Sequence, residues 1–453
     1  MASSPPKAVM SSQASVEVEV ALQNALHVQA TARESDLATA TATDPLTEAR
    51  KAANDGTPPV FKFVLTGGPC AGKTTALSRM RDFFQEKGFR VFTVPEAATS
   101  MFSNGISFQD LRSPENRFAF QWSILSLQRT LEDGFERFAR ACGQPSMLLC
   151  DRGLMDGSVY MPPEEWASLV QANGLDEQSL RDGRYDGILH LVTAACGAEE
   201  HYSLENNGVR SESVEMARDV EAKTEAVWLG HPRHLIFDNS TDFEAKLSRV
   251  TAAVSRLVGL PCRPRKLCKF LLSEPPPPLE DFPVPAKEFQ AEKVYLLRRE
   301  AVEAGEGGLM TATPSLASEG NGGEEGDAGA AAAAAATAAA AAAAFCISSE
   351  SFLEKRGRDC GSFVYFLTTL SSYSDGTVTE VTRQLSAAQH ESVERECADT
   401  ARPKVVQRRV SFLWERQVFE LHTDIQQVYG INVLHRRSEG GKLSLPTFLK
   451  VDD

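Results

Sequence analysis

The octapeptide Gly67-Gly68-Pro69-Cys70-Ala71-Gly72-Lys73-Thr74 constrains this chain more than any other stretch. The apolar run Phe61–Thr66 leads into it, and a helical pattern from Thr74 to Lys87 leaves it and ends at Gly88. Glycines at both ends of such a turn let backbone N–H groups curl inward, and a helix starting at its lysine adds positive potential at the same point. A strand, a glycine-rich turn and a helix in this order form a phosphate cradle, the P-loop. This assigns Gly67, Gly68, Pro69, Cys70, Ala71, Gly72, Lys73, Thr74 and Thr75 to phosphate binding. Lys73 is placed on the β- and γ-phosphates of a nucleoside triphosphate, and the Thr74 hydroxyl on Mg²⁺. Both GTP and ATP satisfy the pattern, since the chain has no Asn-Lys-x-Asp guanine signature.

A P-loop needs partners, and the chain offers several. Asp151 closes the apolar run Met147–Cys150, the strand-end position from which a carboxylate holds Mg²⁺, usually through water. Arg152 follows, to contact transferring phosphate or to pair with a neighbouring acid. Glu96 follows the run Arg90–Val94 and faces the same crevice, as a general base toward a hydroxyl or as an acid in a helix first turn. Arg210 and Arg218 lie in or beside the polar segment Cys196–Ser213, as arginines that close on the γ-phosphate or as solvated helix charges. Arg117, Gln121 and Arg129 share a helical pattern suited to substrate or base contacts, although Gln121 between Phe120 and Trp122 reads equally as a buried amide. Asn239 and Asp242 follow the run His234–Phe237, where a loop touches the nucleotide base; Asp242 reads also as part of a helix start capped by Ser240 or Thr241.

Around these motifs, residues 58–272 alternate short apolar runs with helical patterns, which predicts an α/β domain with a parallel sheet. Its strands are expected at Phe61–Thr66, Arg90–Val94, Met147–Cys150, Gly187–Val192 and His234–Phe237. Residues 1–57 lack apolar periodicity and read as a disordered tail. Residues 273–287 hold four consecutive prolines and read as a stiff linker. Residues 288–450 form a second domain, interrupted at about 302–345 by a low-complexity insertion that includes the tract Ala330–Ala344. Strands are expected there at Lys293–Arg298, Ser362–Leu370, Val378–Leu385, Val405–Leu421 and Gly430–Arg436. Most alternate apolar with charged residues, an antiparallel barrel pattern.

Composition excludes some functions. A net charge of −14 argues against a whole-chain nucleic-acid binder. Nine cysteines at irregular spacing, with no Cys-x-x-Cys, indicate reduced thiols in a cytoplasmic compartment and no zinc site. No apolar run is long enough to cross a membrane.

Taken together, Gly67–Thr75, Pro95-Glu96-Ala97-Ala98, Cys150-Asp151-Arg152-Gly153 and the stretch His231–Ser240 resemble the NadR-type AAA domain. Over about residues 58–450, without the alanine-rich insertion, the chain resembles the TRPL translocation defect family, in which such a domain precedes a CYTH-like domain. The resemblance implies a nucleoside-kinase-like P-loop fold binding GTP or ATP. It further implies recognition of phosphoinositides and a role in membrane-protein trafficking. Enzymatic CYTH domains open with alternating acids followed by a lysine, and Glu288-Phe289-Gln290-Ala291-Glu292-Lys293 departs from that spacing.

Strand alternation allows Arg383, Arg409, Arg416 and Arg436 to point into the second domain among Glu380, Glu415 and Glu420, although Glu415 and Arg416 as neighbours must face opposite ways. Lys404, Arg408 and Arg409 form a further basic cluster. A cavity so lined suits a polyphosphate or a phosphoinositide head group; the alternative is an ion-paired outer surface. The reading that follows is a regulatory Mg²⁺-dependent nucleotide-binding protein in contact with a phosphate-rich anion and, peripherally, with a membrane. Its alternatives are a metabolic kinase with Glu96 or Asp151 as base, and a non-enzymatic peripheral membrane adaptor.

Overall fold

The computed structural model describes residues 58–202, 214–264, 268–297, 346–357, 363–425, 431–437 and 443–452. The expected tail, the alanine-rich insertion and Arg210 lie outside the described residues.

The first layer is built by β1 (Val60–Thr66), β2 (Arg90–Val94), β3 (Ser146–Asp151), β4 (Gly187–Leu191) and β5 (His234–Phe237). All pairings are parallel, in the order β2-β3-β1-β4-β5. Strands β4 and β5 are buried along their whole length, because helices cover both faces. One face packs on α1 (Lys73–Glu86), whose buried Ala76, Leu77, Met80 and Phe84 form a stripe at helical spacing. The long α3 (Pro114–Ala141) lies on the other, started by a Ser113 hydroxyl that accepts from the Asn116 N–H. Between them runs α2 (Ala97–Ser103); α4 (Pro163–Ala172), α5 (Glu177–Asp182), α6 (Val214–Val227) and α7 (Phe243–Leu257) complete the layer. Strand β1 has β3 on one side and β4 on the other, so successive connections leave in opposite directions. That topology opens a crevice at the carboxyl ends of the strands, where ligands bind in such sheets.

The second layer is an eight-stranded antiparallel sheet. It contains β6 (Cys268–Leu271), β7 (Ala286–Tyr295), β8 (Cys346–Gly357), β9 (Phe363–Tyr373), β10 (Val378–Leu385), β11 (Val405–Trp414), β12 (Gln417–Asp424) and β13 (Asn432–Arg436), with α8 (Ala387–Cys397) after β10. The pairing order is β10-β9-β8-β7-β11-β12-β13-β6. Strand β6 pairs with β13, so the second sheet begins before residue 272, ahead of the four prolines. The expected antiparallel sheet is present, and among the described residues β10 and β6 end its order. The segment around residue 262 reaches the opposite edge through a bridge from Cys262 to Val378.

Three sequence expectations change here. The run Val405–Leu421 is two strands, β11 and β12, joined by a two-residue turn at Glu415 and Arg416 whose φ angles are 45° and 59°. Such a turn normally signals itself with Asn-Gly, and this one carries neither residue. Of the four arginines expected inside, only Arg409 is buried there, against Glu354 at 3.1 Å. Arg383 falls opposite in parity to Thr382, which lines the interior, and Arg436 follows Leu434 of the outer apolar cluster by two. Arg416 sits in the turn. Arg409 and the expected Glu420 are joined inside by Arg356, Arg437 and Glu354. The basic cluster also dissolves, since Arg408 faces Glu288 on the outside and Lys404 pairs with Glu292 at 2.7 Å.

The interior face of this sheet lies against the parallel-sheet layer. Arg356 donates to the Gly230 carbonyl at 3.1 Å, and the Arg233 guanidinium lies over the Phe366 ring. No helix among the described residues is long and apolar enough to cross a membrane.

Candidate nucleotide and acceptor sites

Strand β1 delivers the chain into the P-loop with Gly67 at φ 128°, where an added Cβ would lie 2.0 Å from the Leu191 carbonyl oxygen. Gly72, at φ 84°, starts α1 and would drive a Cβ to 2.5 Å from the Phe243 ring. Only glycine fits at these two positions. The Lys73 ammonium donates to the Gly67 and Gly68 carbonyls at 3.0 Å each, which holds it inside the loop. Burial, with the nearby Arg152 charge, pulls its pKa down to about 8. Thr74 and Thr75 are exposed to a cavity of about 1040 Å³ that the P-loop floors.

Strand β3 ends at the wall of this cavity. Burial pushes the Asp151 carboxyl up, Lys73 pulls it back, and Glu96 adds to the rise. Its Oδ1 is buried and meets no donor among the described residues. An orphaned carboxylate oxygen and an exposed threonine hydroxyl lining one cavity are a donor set that fits Mg²⁺, a hard cation that takes oxygen ligands and keeps waters. Thr74 and Asp151 would therefore hold the metal. Arg152 follows at φ 72° and turns back toward Glu96, Nε to Oε1 at 3.7 Å. Burial opposes the guanidinium charge, but Tyr160, Asp156, Glu96 and Asp151 more than offset it and keep the group charged.

Glu96 occupies the N-cap position of α2, yet its side chain makes no capping bond. It accepts from the Thr99 hydroxyl at 2.8 Å and lines the cavity. The far wall is set by β4 and β5. Asn239 donates to the Thr193 and Cys196 carbonyls at 2.8 and 2.9 Å, and accepts from Lys246 at 2.7 Å. Lys246 is buried and also donates to the Val192 carbonyl, and burial pulls its pKa to about 8. Asp242 caps α7 itself by accepting from the Ala245 N–H at 2.8 Å, so neither Ser240 nor Thr241 is the cap. Arg218 does not line the cavity. It donates to the Ala195 carbonyl at 2.8 Å and pairs with Glu199, so it shapes the loop after β4.

A second cavity of about 460 Å³ opens beside the first, between α2, α3 and the turn after β3. Its apolar walls include Phe102, Phe120, Leu125 and Trp166. Arg117 and Gln121 reach it, while Arg129 pairs with Asp133 and does not. Glu96, Thr99 and Arg152 line both cavities and form the seam between them.

Sequence reasoning misses three residues of this architecture. Phe243 walls the P-loop glycine, Lys246 ties β4 to β5, and Glu221 on α6 accepts from the Gly68 N–H at 2.6 Å and the Thr193 N–H at 3.1 Å. Lys246, four residues after a helix cap at the carboxyl end of a strand, could have been suspected. Glu221 belongs to no motif.

The family model described as an AAA domain matches residues 62–246, a span that contains every residue lining the larger cavity. No curated protein matches the chain. Residues 62–246 form a P-loop nucleotide-binding domain, similar to the AAA domain family.

Proposed function

We propose that the first domain is a Mg²⁺-dependent phosphotransferase that passes the γ-phosphate of ATP or GTP to a hydroxyl of a small acceptor. One observation carries this reading. A largely apolar cavity, the size of a small-molecule site, adjoins the nucleotide cavity through Glu96 and Arg152.

In this reading the P-loop N–H groups and Lys73 hold the triphosphate. Mg²⁺, when bound at Thr74 and Asp151, supplies neutralisation of phosphate charge. The acceptor hydroxyl lies at the seam, where Glu96 takes its proton as its oxygen bonds the γ-phosphorus and the bond from that phosphorus to the β-phosphate oxygen breaks, releasing the nucleoside diphosphate. Arg152 stands beside the transferring group, placed to steady its charge. Aromatic walls and the Gln121 amide favour an acceptor with a flat, polar-edged ring, such as a nucleoside. Asp151 is a poor base by comparison, since its free oxygen is reserved for the metal. Incubation with γ-labelled ATP or GTP, Mg²⁺ and a panel of nucleosides should yield a labelled acceptor. Labelled inorganic phosphate alone, with every acceptor, would overturn the reading.

A second reading keeps a regulatory role, with a phosphate-rich anion or phosphoinositide on the second domain, in a cytoplasmic protein touching membranes peripherally. The feature that favours it is a cavity of about 130 Å³ between the layers, lined by Arg233, Arg256, Arg356 and Arg437 against Glu354 and Glu380. Selective sedimentation with phosphoinositide vesicles, weakened by Arg437→Ala, would support it. Equal sedimentation with neutral vesicles would remove it.

A further inference from the structure

Glu221 is fully buried, and the two N–H groups it accepts from belong to the P-loop and to the loop after β4. The His190 ring meets it at 2.9 Å, and Glu225 stands one helical turn further along α6. Two buried carboxylates side by side need a cation. The first domain offers the His190 ring, at 2.9 Å from Glu221 and 3.9 Å from Glu225, and the second domain adds a permanent charge. That charge is Arg416. Its guanidinium lies 3.0 Å from Glu225 and 3.9 Å from Glu221, and also contacts the Cys196 thiol. Arg416 comes from the β11–β12 turn of the second sheet.

A further observation shows that this contact is built. Next to the turn, Val418 is buried with Val192 and Ile236 at the carboxyl ends of β4 and β5, which fixes the hairpin against the first domain. A metal in the His190, Glu221 and Glu225 cluster is a weaker account, because Arg416 already fills the cation's place and Glu221 already accepts three bonds.

We infer that Arg416 is a positioning residue for the nucleotide site: the second domain inserts it behind the P-loop, where it pairs with Glu225 and neutralises the carboxylate beside Glu221, the residue that holds Gly68 and the loop after β4. Nucleotide binding then depends on a domain that never touches the nucleotide. The inference rests on nucleotide binding by the P-loop and is independent of phosphoryl transfer.

The test uses the full chain and fluorescent non-hydrolysable ATP and GTP analogues with Mg²⁺. Arg416→Ala should weaken affinity about tenfold or more, because the paired carboxylates repel and the P-loop loses its fixed back wall. Adding Glu225→Gln to that variant should restore most of the loss, an outcome that loss of packing alone would not give. Arg408→Ala, on the outer face of the same sheet, should match the wild type. If Arg416→Ala does not fold, Arg416→Lys should still bind several-fold more weakly than the wild type. Wild-type affinity in folded Arg416→Ala or Arg416→Lys, or no recovery with Glu225→Gln, would overturn the inference. Failure of the wild type to bind either analogue would sink both this inference and the nucleotide reading.

Discussion

Lys73 offers a quantitative test through pH alone. In the free protein, burial and the Arg152 charge bring its pKa from 10.5 to about 8. A bound triphosphate places several negative charges on the ammonium and restores its ordinary basicity. Binding then takes up a proton whenever the pH exceeds the free-state value. The sign is fixed: affinity is insensitive to Lys73 below about pH 8 and falls as pH rises above it, by up to tenfold per pH unit. At about pH 9 the loss approaches tenfold. The gap between about 8 and 10.5 caps the whole effect at about 3 kcal/mol. Calorimetric titration in two buffers of different ionisation enthalpy at about pH 8.5 should show uptake of more than half a proton. Lys246 also titrates near this range and lines the same cavity. Lys73→Arg separates the two, because arginine does not deprotonate. The Lys73 contribution disappears in that variant and any Lys246 contribution stays. Wild-type affinity that is flat from about pH 7 to 9.5, or the same slope in Lys73→Arg, refutes the reasoning.

Further outcomes follow from the same geometry. Asp151→Asn preserves volume but removes the charge that suits Mg²⁺. Triphosphate affinity with Mg²⁺ should fall about tenfold, toward its value in EDTA, by fluorescence titration; an unchanged Mg²⁺ response contradicts the assignment. Glu221→Ala leaves two backbone N–H groups and His190 buried without an acceptor, at about 1–3 kcal/mol for each orphaned donor. Calorimetry should show a clearly lowered Tm, and an unchanged Tm refutes the hydrogen-bond account. Glu221, opposed by burial but held by His190 and the two N–H groups, and Glu354, opposed by burial but held by Arg409 and Arg356, are both depressed to about 2. Depressed carboxylates stabilise the fold above their unfolded value near 4.5 and lose that contribution as pH falls toward 2. The urea midpoint should therefore drop steeply below about pH 4.5. A midpoint flat down to about pH 3 argues against both pairings.

The parallel layer was legible because its signals are local. An apolar run, a glycine turn and a helical stripe place β1, the P-loop and α1 with little ambiguity, and Asp151 and Glu96 follow from their positions at strand ends. The second sheet was harder to read for identifiable reasons. Glu415 and Arg416 make a left-handed turn without glycine or asparagine, so two strands read as one. Strand β8 begins at Cys346, directly beyond the alanine tract, and its alternation was lost in that context. The inward-facing arginines depended on register, and a shift of one residue reverses every face. Glu221 could not be found at all, because its role exists only where α6, the P-loop and the β11–β12 turn converge in space.

In the proposed reaction, phosphate leaves the P-loop for an acceptor hydroxyl at the seam marked by Glu96. Single-turnover rapid quench with γ-labelled nucleotide, comparing wild type with Glu96→Gln, tests it most directly. Glu96→Gln should bind Mg²⁺ nucleotide within about twofold of wild type and transfer label to the acceptor about a hundredfold more slowly, the range expected for loss of a general base. Equal transfer rates in the two proteins, or a Glu96→Gln defect confined to nucleotide affinity, would contradict it.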